Sequence, residues 1–360
     1  MFLAWNEIKN NKLRFLLIVG VLTLVSYLVF FLSGLANGLE NLNKEAVIKW
    51  DADGIILTEE SDLTLPQSSL KIEDYNGAGA DEYAVLGQFY TIATAGDNKA
   101  NISLFGIRED EFIMPKVTEG KVFKGSGEVI ADDTLKNEGF EIGDELQLSA
   151  TDETLTITGF TDNARFNAAP VLYGSLETLQ KVRFGESTEN MKDRINGFVI
   201  RTDNLEEVEV DDSFQVIATQ DLIENMPGYS EQSMTLSFMI YFLFIISAVI
   251  LAIFLYVLTI QKISIFGVMK AQGISSGYLA KSVIAQTFLL AVAGVIIGFI
   301  FTILTGAFLP AAVPVAFNYV DMLVYGAVLV LVSILGALFS IQTIVKIDPL
   351  KAIGANVWHC

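Results

Sequence analysis

Cysteine, histidine and positive charge are scarce in this chain: among 360 residues there is one Cys, one His, and 23 Lys+Arg against 42 Asp+Glu. The single cysteine is Cys360, so no disulfide ties any part of the chain, and a domain of it placed outside a reducing compartment must be held by its own core. His359 beside Cys360 offers two metal ligands on a terminus, short of the four of a structural zinc site, and reads as a frayed tail. There are no paired cysteines, no HExxH and no GxxxxGK[ST]. The stretch nearest to a phosphate loop, EGKVFKGSGE around Gly120 and Gly125, lacks the Lys-Ser/Thr ending and the long helix that should follow, and reads as a turn. These absences exclude zinc hydrolysis, thiol chemistry and nucleotide hydrolysis by the chain itself. Paired carboxylates for acid and base work would, among so many acids, be chance neighbours. The chain reads as a non-enzyme.

What is abundant is apolar: 52% of the residues are hydrophobic, yet the formal net charge is -19. The two features separate along the chain. Apolar runs at 15–36, 234–260, 283–309 and 322–342 each approach the ~20 residues that cross a hydrocarbon core, and are read as four transmembrane helices. The first run follows Lys9, Lys12 and Arg14 as a signal peptide would, but it exceeds the roughly 7 to 15 apolar residues of an h-region and is read as an uncleaved anchor. The helices hold almost no charge. Ion-coupled transport usually shows intramembrane acids or bases, so their absence argues against a proton- or ion-coupled pump and leaves movement of a hydrophobic molecule or of a mechanical signal.

Residues 37–233 hold 39 of the acids and 15 of the bases, a net of -24. A long domain crosses the membrane largely regardless of its charge, so orientation is read from short flanks. These are Lys9, Lys12 and Arg14; Lys262, Lys270 and Lys281; Lys346 and Lys351. They place both termini and residues 261–282 on the cytoplasmic side of the membrane, and residues 37–233 outside it. Topology alone accounts for the lysines of 261–282 as well as a docking role does. Residues 1–14, with Phe2, Trp5, Ile8 and Leu13 on one helical face, read as an amphipathic cytoplasmic helix, and residues 343–360 as a cytoplasmic tail.

The external region reads as mixed α/β. EYAVLGQFYTIATAGDNKANISLFGI is two strands about a Gly96-Asp97-Asn98 turn. GEVIADDTLKNEGFEIGDELQLSATDETLTITGFTDN is strand, short helix, strand, turn, strand, with Asp132 or Asp133 capping the helix, Gly139 ending it and Gly143-Asp144 turning the chain. INGFVIRTD is a further strand, and Pro227-Gly228 turns the chain into the second membrane helix. Pro310 and Pro314 end the third, leaving an external loop at 310–321. Nothing repeats at a solenoid or propeller period. Gly34 with Gly38, and Gly294 with Gly298, have the small-xxx-small spacing that allows close helix contact.

One helix, a large external α/β domain and three further helices resemble the permease subunits of FtsX/MacB-type ATP-binding cassette transporters. The resemblance runs over nearly the whole chain. Its most specific part is KISIFGVMKAQG after the second helix, which keeps Gly267, Lys270, Ala271 and Gly273 of the family pattern. KIDPLKAIGA, with Asp348, Pro349 and Ala352, is similar to the family's ending, and VIADDTLKNEGFEIGDELQL to its external-domain pattern. Ile265 stands where many members have Glu. The strings FLYVLTIQKIS and FFLSGLANGL look most like the haem-export permeases of Gram-positive bacteria.

The resemblance implies a homodimer served by a cytoplasmic ATPase pair, which supplies ATP hydrolysis, with Lys262, Gly267, Lys270, Ala271 and Gly273 in the coupling segment and no permanently bound cofactor. Haem is then the implied cargo, and its iron accepts Tyr, Met or His ligands. Met226, Tyr229, Met234 and Met239 near the outer end of the second helix, with Phe30 and Phe31 of the first, are the candidate haem contacts. Each also reads as a lipid-facing or dimer-facing residue, Tyr229 as part of an aromatic belt. Two alternatives stay open: export of an antimicrobial peptide or lipoprotein, which the acidic domain would suit, and a transmembrane signal transmitter that exports nothing.

Overall fold

The computed structural model describes residues 12–185, 191, 193–310 and 313–345. The amphipathic segment expected at 1–14 and the tail at 343–360 lie almost wholly outside these residues, with Asp348, Pro349 and Ala352. The chain divides into two compact units, Glu40–Gln232 and Met1–Leu39 with Ser233–Cys360. Among the described residues four helices are long and apolar enough to cross a membrane.

Helix α1 covers Lys12–Lys49. The apolar run ends near residue 36, but the helix continues because GLENLNKEAVIK is amphipathic. Ala46, Val47 and the following Trp50 are buried in the core of the α/β unit, while Glu40 and Lys44 pair at 3.6 Å one turn apart. A hydropathy window sees such a helix as the start of a loop.

The α/β unit carries strands β1 (Gly54–Thr58), β2 (Leu70–Lys71), β3 (Glu82–Ala95), β4 (Asn98–Ile107), β5 (Glu119–Gly120), β6 (Glu128–Asp132), β7 (Glu145–Leu148), β8 (Thr154–Thr161), β9 (Arg165–Phe166) and β10 (Ala169–Ser175). Helix α2 (Leu176–Phe184) follows, then β11 (Arg194–Ile195), β12 (Gly197–Arg201), β13 (Phe214–Ala218) and helix α3 (Thr219–Glu224). The main sheet runs β13-β1-β12-β3-β4-β10-β6-β8-β5, with β7 against β3 and β8, and β9 against β10. It is mixed: β10 lies parallel to β4 and β6 to β8.

The β3–β4 hairpin closes with Ala95 opposite Asn98. Gly96, at φ 58, takes the left-handed position of its two-residue turn, which costs glycine nothing. After β6 the expected short helix is a single 3-10 segment, Asp133–Glu138, ended by Gly139 at φ 90.

Of the two candidate caps it is Asp132 that serves, accepting from the Thr134 N–H at 3.0 Å and from its hydroxyl. Its other oxygen accepts from the Ala164 N–H at 2.7 Å, and the residue is fully buried. Asp132→Ala therefore strands donors on two segments at once, the half-buried Thr134 and the buried Ala164. At about 1 to 3 kcal/mol per orphaned group, it is expected to lower the denaturation midpoint of the full chain markedly, whereas Asp133→Ala leaves it nearly unchanged. Equal midpoints for the two variants would refute the role.

The remaining helices are α4 (Tyr229–Gln261), α5 (Ile263–Ala271), α6 (Ser276–Phe308) and α7 (Tyr319–Val345). Both glycine pairs are used inside this chain. A Cβ on Gly294 would lie 2.5 Å from Leu22 Cβ, and one on Gly298 2.7 Å from Ser26 Cβ, so α6 packs closely on α1. Gly34 and Gly38 receive the loop before α7: the Ala316 N–H donates to the Gly34 carbonyl at 2.9 Å. Phe317 fills the space over both Gly34 and Gly306.

Candidate functional site

The segment between α4 and α6 is built by local rules. Lys262 breaks the long helix with φ -104 and ψ 5, and α5 runs from there to Ala271. Gly273, at φ 88, ends it: the Gly273 N–H donates to the Lys270 carbonyl at 2.9 Å and the Ile274 N–H to the Met269 carbonyl at 3.0 Å. These two bonds make a Schellman motif, with the accompanying apolar contact made as Ile274 and Met269 pack on one cluster with Phe266, Leu279 and Val283. Ser275 then caps α6 by accepting from the Tyr278 N–H at 3.3 Å.

Phe266 and Gly267 form the buried side of α5. Ser264, Ile265, Val268 and Ala271 lie on the opposite, exposed side, Ile265 being 56% exposed. Lys262 is half-buried, its ammonium 5.6 Å from the centre of the Phe15 ring. Lys270 is half-buried in the last turn. Thus Ile265 stands on the surface this helix presents.

The six candidate haem contacts fall into separate settings. Met226 and Tyr229 belong to the core of the α/β unit, where Tyr229 is 7% exposed. Lys44 donates to the Tyr229 phenol oxygen at 3.3 Å and lies 5.7 Å from its ring centre. Met226 lines a cleft of about 70 Å³ beside Tyr90 and Phe166. That volume is well below the ~300 to 1,000 Å³ of a small-molecule site, and burial pushes the Tyr90 phenol up to about 12, leaving it protonated at neutral pH.

In the membrane unit, Met234 and Met239 are 59% and 50% exposed on α4. Phe30 is buried edge-on against Phe299 at 6.1 Å, and Phe31 stacks on Tyr27 at 5.9 Å.

Two features of the structure carry no sequence motif. The first is a joint within the α/β unit, where the last turns of α1 meet the segment from β8 to β10. Arg165 donates from Nε and Nη2 to both Glu45 oxygens, at 2.8 and 2.9 Å. Lys49 reaches the Thr161 hydroxyl at 2.6 Å and the Asp162 carboxylate at 3.0 Å. The Asn167 and Ala168 N–H groups donate to the Asn43 and Leu42 carbonyls at 2.9 and 3.1 Å. Both donors hold left-handed backbone, φ 49 and 65, a conformation costly for alanine.

The hydrogen bond from Lys49 holds the Asp162 carboxyl below the usual aspartate range, against a smaller opposing effect of burial. A depressed folded value means that this pair's contribution is complete above about pH 4 and is lost as the pH falls through the folded value. Lys49→Met is expected to flatten that acid limb of the stability profile. An unchanged profile would remove the pair from the account.

The second feature is a groove of about 830 Å³ along α1 and α6, lined among others by Gly20, Thr23, Tyr27, Ile297, Phe301 and Thr305. Its lining is apolar apart from hydroxyls, and the Tyr27 and Thr305 oxygens are 3.3 Å apart. The only trace in the sequence is hydroxyl residues within apolar runs.

Residues 237–349 match the FtsX-like permease C-terminal family. A putative hemin transport system permease protein HrtB of Staphylococcus haemolyticus is 28% identical over 98% of this chain and 99% of its own length. One of the same name from Staphylococcus epidermidis is 27% identical over 99% of this chain and 100% of its own. The periplasmic region of MacB from Actinobacillus actinomycetemcomitans aligns in structure over 49% of this chain and 94% of that one, with a TM-score of 0.35 and 16% identity. The helices that follow the α/β unit, α4 to α7, thus lie almost wholly within the stretch that matches the FtsX-like permease C-terminal family.

Proposed function

We propose that this chain is the permease subunit of an ATP-binding cassette exporter that expels haem, or a similar hydrophobic compound, from the plasma membrane. The observation that carries the reading is co-extension: staphylococcal proteins named for hemin transport align with the whole chain, the α/β unit included, at 28% and 27% identity. The near absence of charge in the membrane helices agrees with an apolar cargo moved by an external engine.

In this reading two copies assemble on a pair of cytoplasmic ATPase subunits, with both termini cytoplasmic and the α/β unit outside. The helix α5, fixed at its end by Gly273 and on its inner side by Phe266, is the handle that the ATPase moves. Helix α1 runs from Lys12 to Lys49 and carries Glu45 of the Glu45–Arg165 joint.

A charge on the handle's apolar surface is expected to uncouple it. Ile265→Asp should abolish cargo-stimulated ATP hydrolysis in the assembled transporter while hemin binding by the permease stays native. Unchanged stimulation would place the handle elsewhere. The cargo itself is tested by hemin tolerance of bacteria producing this chain together with its ATPase. Tolerance raised by the pair, and by neither alone, is the expected result; sensitivity unchanged by the pair would reject haem as the cargo.

A further inference from the structure

We infer that Arg183 and Arg194, on the α/β unit, form a site for a phosphate dianion, taken as free phosphate or as a phosphate monoester. The inference stands apart from the haem reading and uses none of its residues.

Residues 37–233 hold 39 acids and 15 bases, so a cation on this surface meets carboxylates in excess. Three of the five arginines in that stretch are paired with one: Arg108 with Glu111 at 3.3 Å, Arg165 with Glu45 at 2.8 Å and Arg201 with Glu82 at 3.0 Å. Arg183 at the end of α2 and Arg194 at the start of β11 are the two that form no ion pair among the described residues.

These two are neighbours, and one fully buried residue, Asn196, sets both in place. Its Oδ1 accepts from Arg183 Nη1 at 3.1 Å and from the Gln88 N–H at 2.8 Å. Its Nδ2 donates to the Leu65 and Ser68 carbonyls at 3.2 and 2.9 Å. That fixes the turn whose next residue, Ser69, accepts from Arg194 Nη1 at 2.9 Å through its hydroxyl. Arg183 also lies over the Phe184 ring, 5.0 Å from its centre. Burial first, and then the Arg194 charge, hold the Arg183 guanidinium below the usual arginine range, so the two cations act on one another.

A guanidinium has five N–H donors in a planar fork. The bonds above use one on each arginine, and both residues are half-buried rather than enclosed. One turn before Arg183 on α2, where residues three apart are neighbours, Gln180 carries a buried Nε2 without an acceptor among the described residues.

The class of ligand follows from charges and oxygens. A carboxylate has one charge and two oxygens, which satisfy a single fork. A phosphate monoester carries about -1.5 to -2 at neutral pH and three free oxygens, enough for both arginines. A phospholipid diester, with one charge, is the poorer match.

The test is calorimetric titration of the purified full chain in detergent with inorganic phosphate, at constant ionic strength set with chloride. Saturable binding is expected. Arg183→Gln and Arg194→Gln should each weaken it by about tenfold or more, the scale of a lost hydrogen bond to a charged group. Lys121→Gln, which removes an exposed charge just after β5, should match the native chain, and dimethyl phosphate, a diester with one charge, should bind far more weakly than phosphate. Should Arg183→Gln fail to fold, Arg194→Gln decides, since its guanidinium holds a single hydroxyl, that of Ser69. Native affinity in Arg194→Gln, or no saturable binding by the native chain, would overturn the site. An equal loss in Lys121→Gln would reduce it to net charge and overturn it too. Equal affinity for phosphate and dimethyl phosphate would overturn the dianion assignment in favour of a phospholipid headgroup.

Discussion

Valine at Gly38 should cost this protein about 3 kcal/mol, the upper end of the range for overpacking, while alanine at Gly20 should stabilise the same helix by up to about 1 kcal/mol. The contrast follows from what each missing side chain makes room for. A Cβ on Gly38 would sit 2.2 Å from the Pro314 carbonyl oxygen and 2.8 Å from the Val315 nitrogen. Those are backbone atoms of a loop that is itself held to α1 by the hydrogen bond from Ala316 to Gly34, so the clash cannot be relieved by one side-chain rotation. At Gly20 there is no neighbour to meet, and alanine only restricts the unfolded chain and improves helix propensity. Denaturation of the two variants, followed by tryptophan fluorescence of the full chain in detergent, should move in opposite directions. A shared direction would mean that the loop before α7 does not rest on α1.

Arg165→Ala should be comparably severe, about 3 kcal/mol or more, because it leaves the Glu45 carboxylate, only 12% exposed in its side chain, without its partner. Breaking such a pair is costly mainly through the charge that is stranded. Replacing both partners by methionine should therefore recover most of the loss, and a double-mutant cycle measures the coupling directly. The joint also bears on function. If α1 delivers motion to the α/β unit, the double methionine variant, though stable, should export hemin poorly while its cargo-stimulated ATP hydrolysis persists. A stable double variant that exports normally would show the joint to be structural only.

Local rules made a good part of this molecule legible. The Gly273 stop, the Ser275 cap, the turn at Gly96 and the left-handed Gly139 are each decided within a few residues, by backbone sterics and by hydrogen bonds between near neighbours. The six candidate haem contacts share a depth along the chain, and depth does not say which way a side chain faces. Phe30 and Phe31 are adjacent in sequence, yet one is buried against Phe299 and the other stacks on Tyr27. Tyr229 stands at the start of a membrane helix, but its phenol is engaged by Lys44 from another. The glycine pairs had a spacing that suits any close helix contact, and the fold uses them for α6 and for a proline-containing loop.

The sequence by itself determined that one apolar helix precedes and three follow an acidic α/β region, and that a short basic segment separates the second and third spans. Hydropathy, charge and capping are properties of short stretches, and a short stretch states them completely. Tertiary structure alone decided that Glu45 meets Arg165, that Gly38 meets Pro314, and that Gly20, Tyr27 and Thr305 open onto one groove. Each of those joins residues far apart in the chain, where the outcome depends on the packing of whole helices and sheets and no local signal carries it.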